Sequence, residues 1–386
     1  MTDPVGARAA VVSTTIPQQL DLVYRDILEE LRANGYAVHA VTSAGRETAS
    51  LAARVHRIHI VPMRRQISLL SDMACFVAWV RLLRTIRPEL VLAGSPKASL
   101  LALSAARLTG VGRRAYLLQG LRLEGASGAT RRLLAAAERV ASDSADVVIA
   151  VSPSLAGLYE RLGLAGSTPV RVPAGGSSHG VDAGHFRPMA ADEGLRQGLG
   201  LHASVPTLCF IGRLTADKGI PTLAQALRRL ATEGLAVQLL VLGKQDERDS
   251  PGMLELLRGT GMLVRDVQHV ADVRPYLSLS DVLVLPTRRE GLPNVVLEAA
   301  AMEIPSVTTD AIGAVDSVVH GETGYVAHMD DAADFANGMR LLLSDQTLRR
   351  QMGVAARVRV VEQFEPMAVA RAIVGLARGE RAPVHG

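Results

Sequence analysis

Aromatic residues make up only 3% of this 386-residue chain, and it has two cysteines, Cys75 and Cys209. So few aromatics leave little surface on which nucleic-acid bases could stack. Two thiols in separate apolar segments supply neither a disulfide framework nor a zinc ligand set, and they suit a reducing, cytoplasmic setting. Long apolar runs are missing as well: the nearest candidate, Met73 to Leu83, is broken by Arg81 and Arg84 and falls short of the roughly 18 residues that a span requires. Membrane contact is therefore expected to be peripheral, at the inner face of the cell membrane. Met1 to Ala10 carries Asp3, Pro4 and Arg8 and lacks the basic-then-apolar order of a secretory signal. The stretch Gly6 to Ile16 offers no G-x-G-x-x-G, which argues against a nicotinamide site.

What is abundant is apolar and small. Hydrophobic residues reach 48% and charged residues 21%, the balance of a folded protein, and the length suggests two domains. The first 190 residues hold 22 Lys and Arg against 14 Asp and Glu, and the remainder 20 against 24. Such an asymmetry is compatible with ordinary solvated surface, or with a basic face that meets an anionic acceptor or bilayer.

Apolar runs of strand length alternate with stretches of helical period. Strands are expected at Ala9 to Ile16, Ala37 to Thr42, Arg57 to Pro62, Glu89 to Gly94, Ala115 to Gln119 and Val147 to Val151, with helices at Gln18 to Asn34 and Ser68 to Arg87 among them. Continuous apolar strands joined by helices imply a parallel sheet covered on both faces. Glycines and prolines break the pattern between Arg171 and Pro188. A second alternation starts at Thr207 to Ile211 and runs to Ser306 to Thr309. Three helices follow from Asp330 to Arg378, with breaks at Ser344 to Gln346 and at Pro366. The fold class is thus α/β, with two Rossmann-like doubly wound domains facing a cleft. Ligands of such sheets bind beyond the carboxyl ends of the strands.

Two loops stand out there. Gly212-Arg213-Leu214-Thr215-Ala216-Asp217-Lys218-Gly219 follows the first strand of the second alternation and sets two cations five apart before a helix, an arrangement suited to a diphosphate. Isolated, the pair reads as ordinary surface, and only its position after a strand and before a helix argues for more. The second loop, from Pro286 to Glu298, places Glu290 before a helix that Asn294 is suited to cap, and Glu298 about one turn inside it. Carboxylates accept hydroxyl hydrogen bonds, which suits a sugar diol; the plainer reading of Glu298 is a snorkelling surface side chain.

GRLTADKG together with the E-x7-E of EGLPNVVLE resembles glycosyltransferase family 4, the retaining GT-B enzymes, and the likeness continues through PSVTTDAIGAVDSVVHGETGYV at Pro305 to Val326. The first half resembles a branch of capsule, exopolysaccharide and lipid-linked oligosaccharide transferases, through VPMRRQIS, SPKASLLALSAARLTGV, VSPSL and GSSHGVD. The resemblance implies an acceptor-binding domain over 1–187, a nucleotide-sugar domain over 188–365 and a last segment, 366–386, returning to the first domain. It implies that Arg213 and Lys218 bind the diphosphate of a UDP-sugar and stabilise the leaving group, that Glu290 binds the transferred sugar and Glu298 the ribose. Gly212 and the backbone of Gly291, Leu292, Asn294 and Val295 would complete the cradle. Val267 to Val270, with His269, would line the base pocket, and Lys244 stands where relatives have a glycine-rich turn. Gln119 occupies a position where relatives often carry a histidine; it can donate a hydrogen bond but cannot carry charge. Thr14 and Thr15, with His179 from the Gly- and Pro-rich segment, are the acceptor-side candidates. No carboxylate nucleophile is assigned. With no D-x-D triplet, no metal and no other cofactor are expected.

His56, His59 and His185 read as structural or surface residues. The stretch from Ser68 to Arg87 reads first as core packing through Leu69, Leu70, Met73, Phe76, Val77, Val80 and Leu83; its sharper reading is a membrane-facing amphipathic helix flanked by Arg64 and Arg65. The transfer expected is of a hexose or N-acetylhexosamine to a hydroxyl of a glycan or lipid-linked envelope precursor. A small soluble acceptor, a UDP-sugar epimerase, and an inactive sugar-nucleotide-binding subunit are the alternatives.

Overall fold

A computed structural model describes residues 8–63, 68–245, 247 and 249–380. Arg64 and Arg65, the expected basic flank, lie outside the described residues. The chain divides into two compact units, one running to Gly180 and resuming at Pro366, the other Val181–Glu365.

The first unit is built on seven parallel strands: β1 (Arg8–Ser13), β2 (Tyr36–Thr42), β3 (Arg57–Ile60), β4 (Leu90–Gly94), β5 (Arg113–Leu118), β6 (Val147–Ala150) and β7 (Val170–Arg171), in the order β3-β2-β1-β4-β5-β6-β7. The inner strands β4 and β6 are buried at every residue, as a sheet covered on both faces demands. The single helix expected over Gln18 to Asn34 is instead two, Pro17–Leu22 and Arg25–Ala33. The break at Tyr24 sends that fully buried ring over Gly94, where a Cβ would lie 1.7 Å from the tyrosine hydroxyl. The helix Pro366–Arg378 packs on Arg25–Ala33, and Arg378 donates to the Asn34 side chain.

The second unit carries six parallel strands, β8 (Thr207–Ile211), β9 (Gln238–Leu242), β10 (Leu263–Gln268), β11 (Val282–Leu285), β12 (Ser306–Thr309) and β13 (Gly324–Ala327), ordered β10-β9-β8-β11-β12-β13. Both sheets are doubly wound: chain order reverses direction between β1 and β4 in the first and between β8 and β11 in the second. Those are the two switch points at which loops diverge to opposite faces and leave a crevice.

The division falls at Gly180 and Val181 rather than after Arg187. The segment from Val181 to Phe186 is tied into the second unit: Val181 donates its N–H to Phe364 O at 2.8 Å and packs with Leu297 and Phe364, and Arg357 bonds the carbonyls of Ala183 and Phe186, each at 3.2 Å. Glycine content marks where the chain bends, whereas the boundary follows what the bent segment packs against.

Candidate functional site

The loops after β8 and β11 meet at the switch point of the second unit. After β8 the chain crosses Gly212, exposes Arg213, buries Leu214 and forms a single 3-10 turn, Ala216–Lys218. Gly219 then takes φ +74°, and a Cβ there would lie 1.6 Å from Pro286 O. Only glycine permits both the backbone conformation and the approach of this loop to the end of β11. A similar crossing occurs at Gly313, where a Cβ would lie 2.4 Å from Gly291 O and 2.5 Å from Glu290 O; Glu290 N–H is held by Ile312 O at 2.9 Å.

Charge closes the junction. Lys218 Nζ donates to Glu290 Oε1, with both side chains mostly buried. Asp217 stitches the loops a second time: its carbonyl accepts from Arg288 N–H at 2.9 Å and from Thr287 Oγ1 at 3.4 Å, and its carboxylate accepts from Thr215 Oγ1 and from Arg289 Nη2 at 3.4 Å. Arg213 reaches Glu247 Oε1 at 2.8 Å and lies 3.9 Å from Asp217 Oδ2. Burial pushes the Asp217 carboxyl up, but the Thr215 bond and the charges of Arg289, Arg213 and Lys218 outweigh it and hold the group below its ordinary value.

Glu298 sits one turn into the helix Asn294–Ala301. Burial alone pushes its carboxyl up to about 7. Asn294 is not at the cap position expected of it: Pro293 occupies the N-cap position, and Asn294 is the first helical residue. Proline already sets the entry φ, so the chain turns without an asparagine cap. Gly291, Leu292 and Val295 are partly exposed around this entry. Lys244 is exposed after β9, and His269 is exposed after β10, a strand separated from β8 by β9. The Lys244 carbonyl accepts Leu214 N–H of the β8 loop at 3.5 Å.

In the first unit, the residues after β1 and β4 meet in the same way. Thr15 Oγ1 and Ser95 Oγ are 2.7 Å apart, and Ser95 Oγ also accepts Thr15 N–H at 3.1 Å. Thr14 Oγ1 is turned back to Ile16 O at 2.8 Å. Gln119, past β5, accepts at Oε1 from Gln19 Nε2. His179 lies within hydrogen-bond distance of Ser178 Oγ at 2.8 Å, and burial lowers its pKa to about 4. Sequence reasoning did not single out Ser95, Gln19, Asp217 or Arg289. The acid between the two cations of GRLTADKG was the available signal for Asp217.

Other expectations divide. His39 on β2 and His59 on β3 cluster with His56, just before β3, with His39 Nδ1 3.0 Å from His59 Nε2, and the His185 ring meets Phe186 edge-on. Among the described residues no group of three His, Cys, Asp or Glu side chains could hold a metal ion. Both cysteines are buried thiols. The helix Leu69–Ile86 buries Cys75, Trp79 and Leu83, yet leaves Leu70 89%, Met73 63% and Val77 40% exposed. Among the described residues no helix is long and apolar enough to cross a membrane.

Family comparisons agree with this architecture. The Glycosyltransferase Family 4 model matches residues 22–175, and the Glycosyl transferases group 1 model matches 205–345. The capsular polysaccharide biosynthesis glycosyltransferase CapM of Staphylococcus aureus is 32% identical over 358 residues, 92% of this chain and 91% of that protein. Among solved structures, sucrose-phosphate synthase from Thermosynechococcus elongatus (TM-score 0.78, 20% identity, 96% of this chain and 98% of that one) shares the fold. So does Anabaena HepE in complex with UDP and glucose (TM-score 0.78, 18% identity, 96% and 100%). That fold is GT-B. With the family models on both halves and a relative matched along nearly its whole length, the chain belongs to glycosyltransferase family 4, in its capsular polysaccharide branch.

Proposed function

We propose that this glycosyltransferase moves a hexose or N-acetylhexosamine from a UDP-sugar to a hydroxyl of a glycan or lipid-linked envelope precursor, with retention at the anomeric carbon. The observation that carries the reading is the Lys218–Glu290 pair, which closes the two switch-point loops, one carrying Arg213 and the other leading into the helix of Glu298. Arg213 and Lys218 would meet the donor diphosphate, and their charge would favour departure of UDP. Glu290 would exchange Lys218 for hydroxyls of the transferred sugar, and Glu298 would take the ribose hydroxyls. Gly212 and the backbone of Gly291, Leu292, Asn294 and Val295 would complete the cradle. Val267 to Val270 with His269 are assigned the base pocket, and Lys244 a contact to the donor's phosphate or sugar.

In the step itself, the bond from the anomeric carbon to the phosphate oxygen breaks. The acceptor oxygen bonds to the same face of that carbon, and its proton passes to the departing phosphate oxygen. No carboxylate nucleophile and no metal ion enters this scheme. Thr15, with Ser95, and Gln119 are assigned to acceptor hydroxyls, since they follow the carboxyl ends of the first sheet's strands, and Gln19, in the helix Pro17–Leu22, holds Gln119. Thr14 is bonded back to its own loop and would act by holding Thr15. His179, neutral and hydrogen-bonded, would serve as a neutral contact at most.

HepE has been solved with UDP and with UDP-glucose, which supports a UDP-sugar donor, and the name of the Staphylococcus relative supports an envelope polysaccharide as product. Leu70, Met73 and Val77 share one helical face with Arg81 and Arg84, which supports peripheral approach to an anionic bilayer carrying a lipid-linked acceptor. The test is a thermal-shift panel of UDP, UDP-hexoses, UDP-N-acetylhexosamines and GDP. UDP and one UDP-sugar are expected to raise the melting point, because a ligand at a hundred times its Kd adds about 2.7 kcal/mol. Lys218→Ala should remove the shift, Glu290→Ala should remove what the UDP-sugar adds beyond UDP, and each should cut turnover by about two orders of magnitude. A shift with GDP alone, or one unaffected by both substitutions, would overturn the assignment.

A further inference from the structure

Two arginines precede Glu290, and they differ in what they face. Arg288 turns to Asp330 at 2.7 Å, in an exposed pair. Arg289 turns the other way, to Asp217 Oδ2 at 3.4 Å, the same oxygen that lies 3.9 Å from Arg213 Nη2. Both guanidinium nitrogens are measured to one atom, so their separation cannot exceed those two distances laid end to end. Lys218, next in sequence to Asp217, adds its charge to the same carboxylate. Three cations therefore gather at the switch point, opposed by Asp217 and Glu290 within the junction and by Glu247 at its edge. Arg289 is not an enclosed strut: 34% of its side chain is exposed, as is 30% of Asp217.

We propose that Arg289 is a third cation of the donor diphosphate site, parked on Asp217 until the anion arrives. The inference rests on the donor-site reading above. A guanidinium presents five donors in a planar fork, so it can keep one N–H on Asp217 while others turn to phosphate oxygens; an ammonium could not share itself in this way with the same geometry. A diphosphate carries more negative charge than a single cation balances, and Arg213 and Lys218 each already face a carboxylate. Those two cations stand against three carboxylates, Asp217, Glu290 and Glu247; Arg289 brings the count to three against three and removes the net repulsion that a doubly or triply charged ligand would otherwise meet. If Arg289 were only a brace between the loops, its loss would disturb every nucleotide equally. As a phosphate contact, its loss weakens ligands in proportion to their phosphate charge.

Isothermal titration of UDP and UMP against wild type, Arg289→Gln, Arg289→Lys and Lys218→Ala distinguishes these outcomes. Arg289→Gln should weaken UDP by about tenfold and UMP by less than about threefold, with the effect shrinking as salt rises. Arg289→Lys should show the same UDP-selective loss at smaller size, and it carries the test if Arg289→Gln does not fold. Unchanged UDP affinity in the arginine variants, or equal losses of UDP and UMP, refutes the role of Arg289 alone. If wild type does not bind UDP, or Lys218→Ala binds it as well as wild type, the donor-site reading itself fails and takes this inference with it.

Discussion

Replacing Glu298 by glutamine should change how stability and nucleotide binding respond to pH. Burial moves the carboxyl from its ordinary 4.5 to about 7. At 1.36 kcal/mol per unit, that is about 3 kcal/mol of preference for the protonated form. The folded-state pKa lies above the unfolded one, so the favourable contribution is fully present below about pH 4.5 and is lost as pH rises through about 7. Glutamine has nearly the same shape and does not ionise. The two proteins should therefore have similar stability near pH 4.5 and diverge as pH rises, with Glu298→Gln the more stable at pH 8 by up to about 3 kcal/mol. For a unit of this size, each kcal/mol is worth about 2 to 4 °C in melting point. Glu138, which burial also raises to about 7 against the opposing bonds from Tyr116 and Tyr159, is present in both proteins and cancels in the comparison. Ribose hydroxyls that donate to Glu298 would favour its ionised form, so UDP binding near pH 6.5 should expel a fraction of a proton that Glu298→Gln does not release. Calorimetry in buffers of different ionisation enthalpy measures that difference. Identical pH–stability curves together with equal proton release in the two proteins would refute both the burial argument and the ribose role.

Gly219→Ala should destabilise the second unit by at least about 2 kcal/mol in urea titrations, since the new Cβ meets Pro286 O in a left-handed backbone; wild-type stability would mean that the loop opens without cost. With its pKa near 4, His179 is neutral across the working range, so His179→Gln should leave the shape of the pH–rate profile between 5.5 and 8 unchanged, and a lost limb there would contradict that state. Leu70→Glu with Met73→Glu touches exposed side chains and should alter stability by less than about 0.5 kcal/mol each. Sedimentation with phosphatidylglycerol vesicles should nevertheless fall about tenfold, and undiminished binding would remove this face from the membrane model.

Elements long enough to show a period were legible from the residues alone. The runs that became β1, β2, β4, β5, β8 and β9 are apolar because both faces of their sheets are covered, and the tail breaks at Ser344 to Gln346 and at Pro366 appear as helix ends. Two strands escaped notice: β7 has two residues, too few for any period to register, and β13, at the sheet edge, opens on a glycine and is only partly buried at its centre, so it lacks the apolar run of the inner strands. The division at Gly180 also escaped, because it depends on Val181 reaching Phe364, far along the chain. Asn294 misled, since proline beside it set the same turn by covalent geometry.

By itself the sequence determined the two doubly wound halves and which loops follow their strands. Strand and helix periods, and the glycines a tight turn requires, are local properties written in adjacent residues. It also supplied the two cations and two carboxylates of the second half as spacings. Only the tertiary structure decided the pairing: Lys218 against Glu290, Asp217 between Arg213 and Arg289, and Arg288 turned away to Asp330. The Lys218–Glu290 and Asp217–Arg289 pairs join residues 72 apart, set by the adjacency of β8 and β11 in the sheet, and spacing along a chain carries no record of which loop will lie beside which.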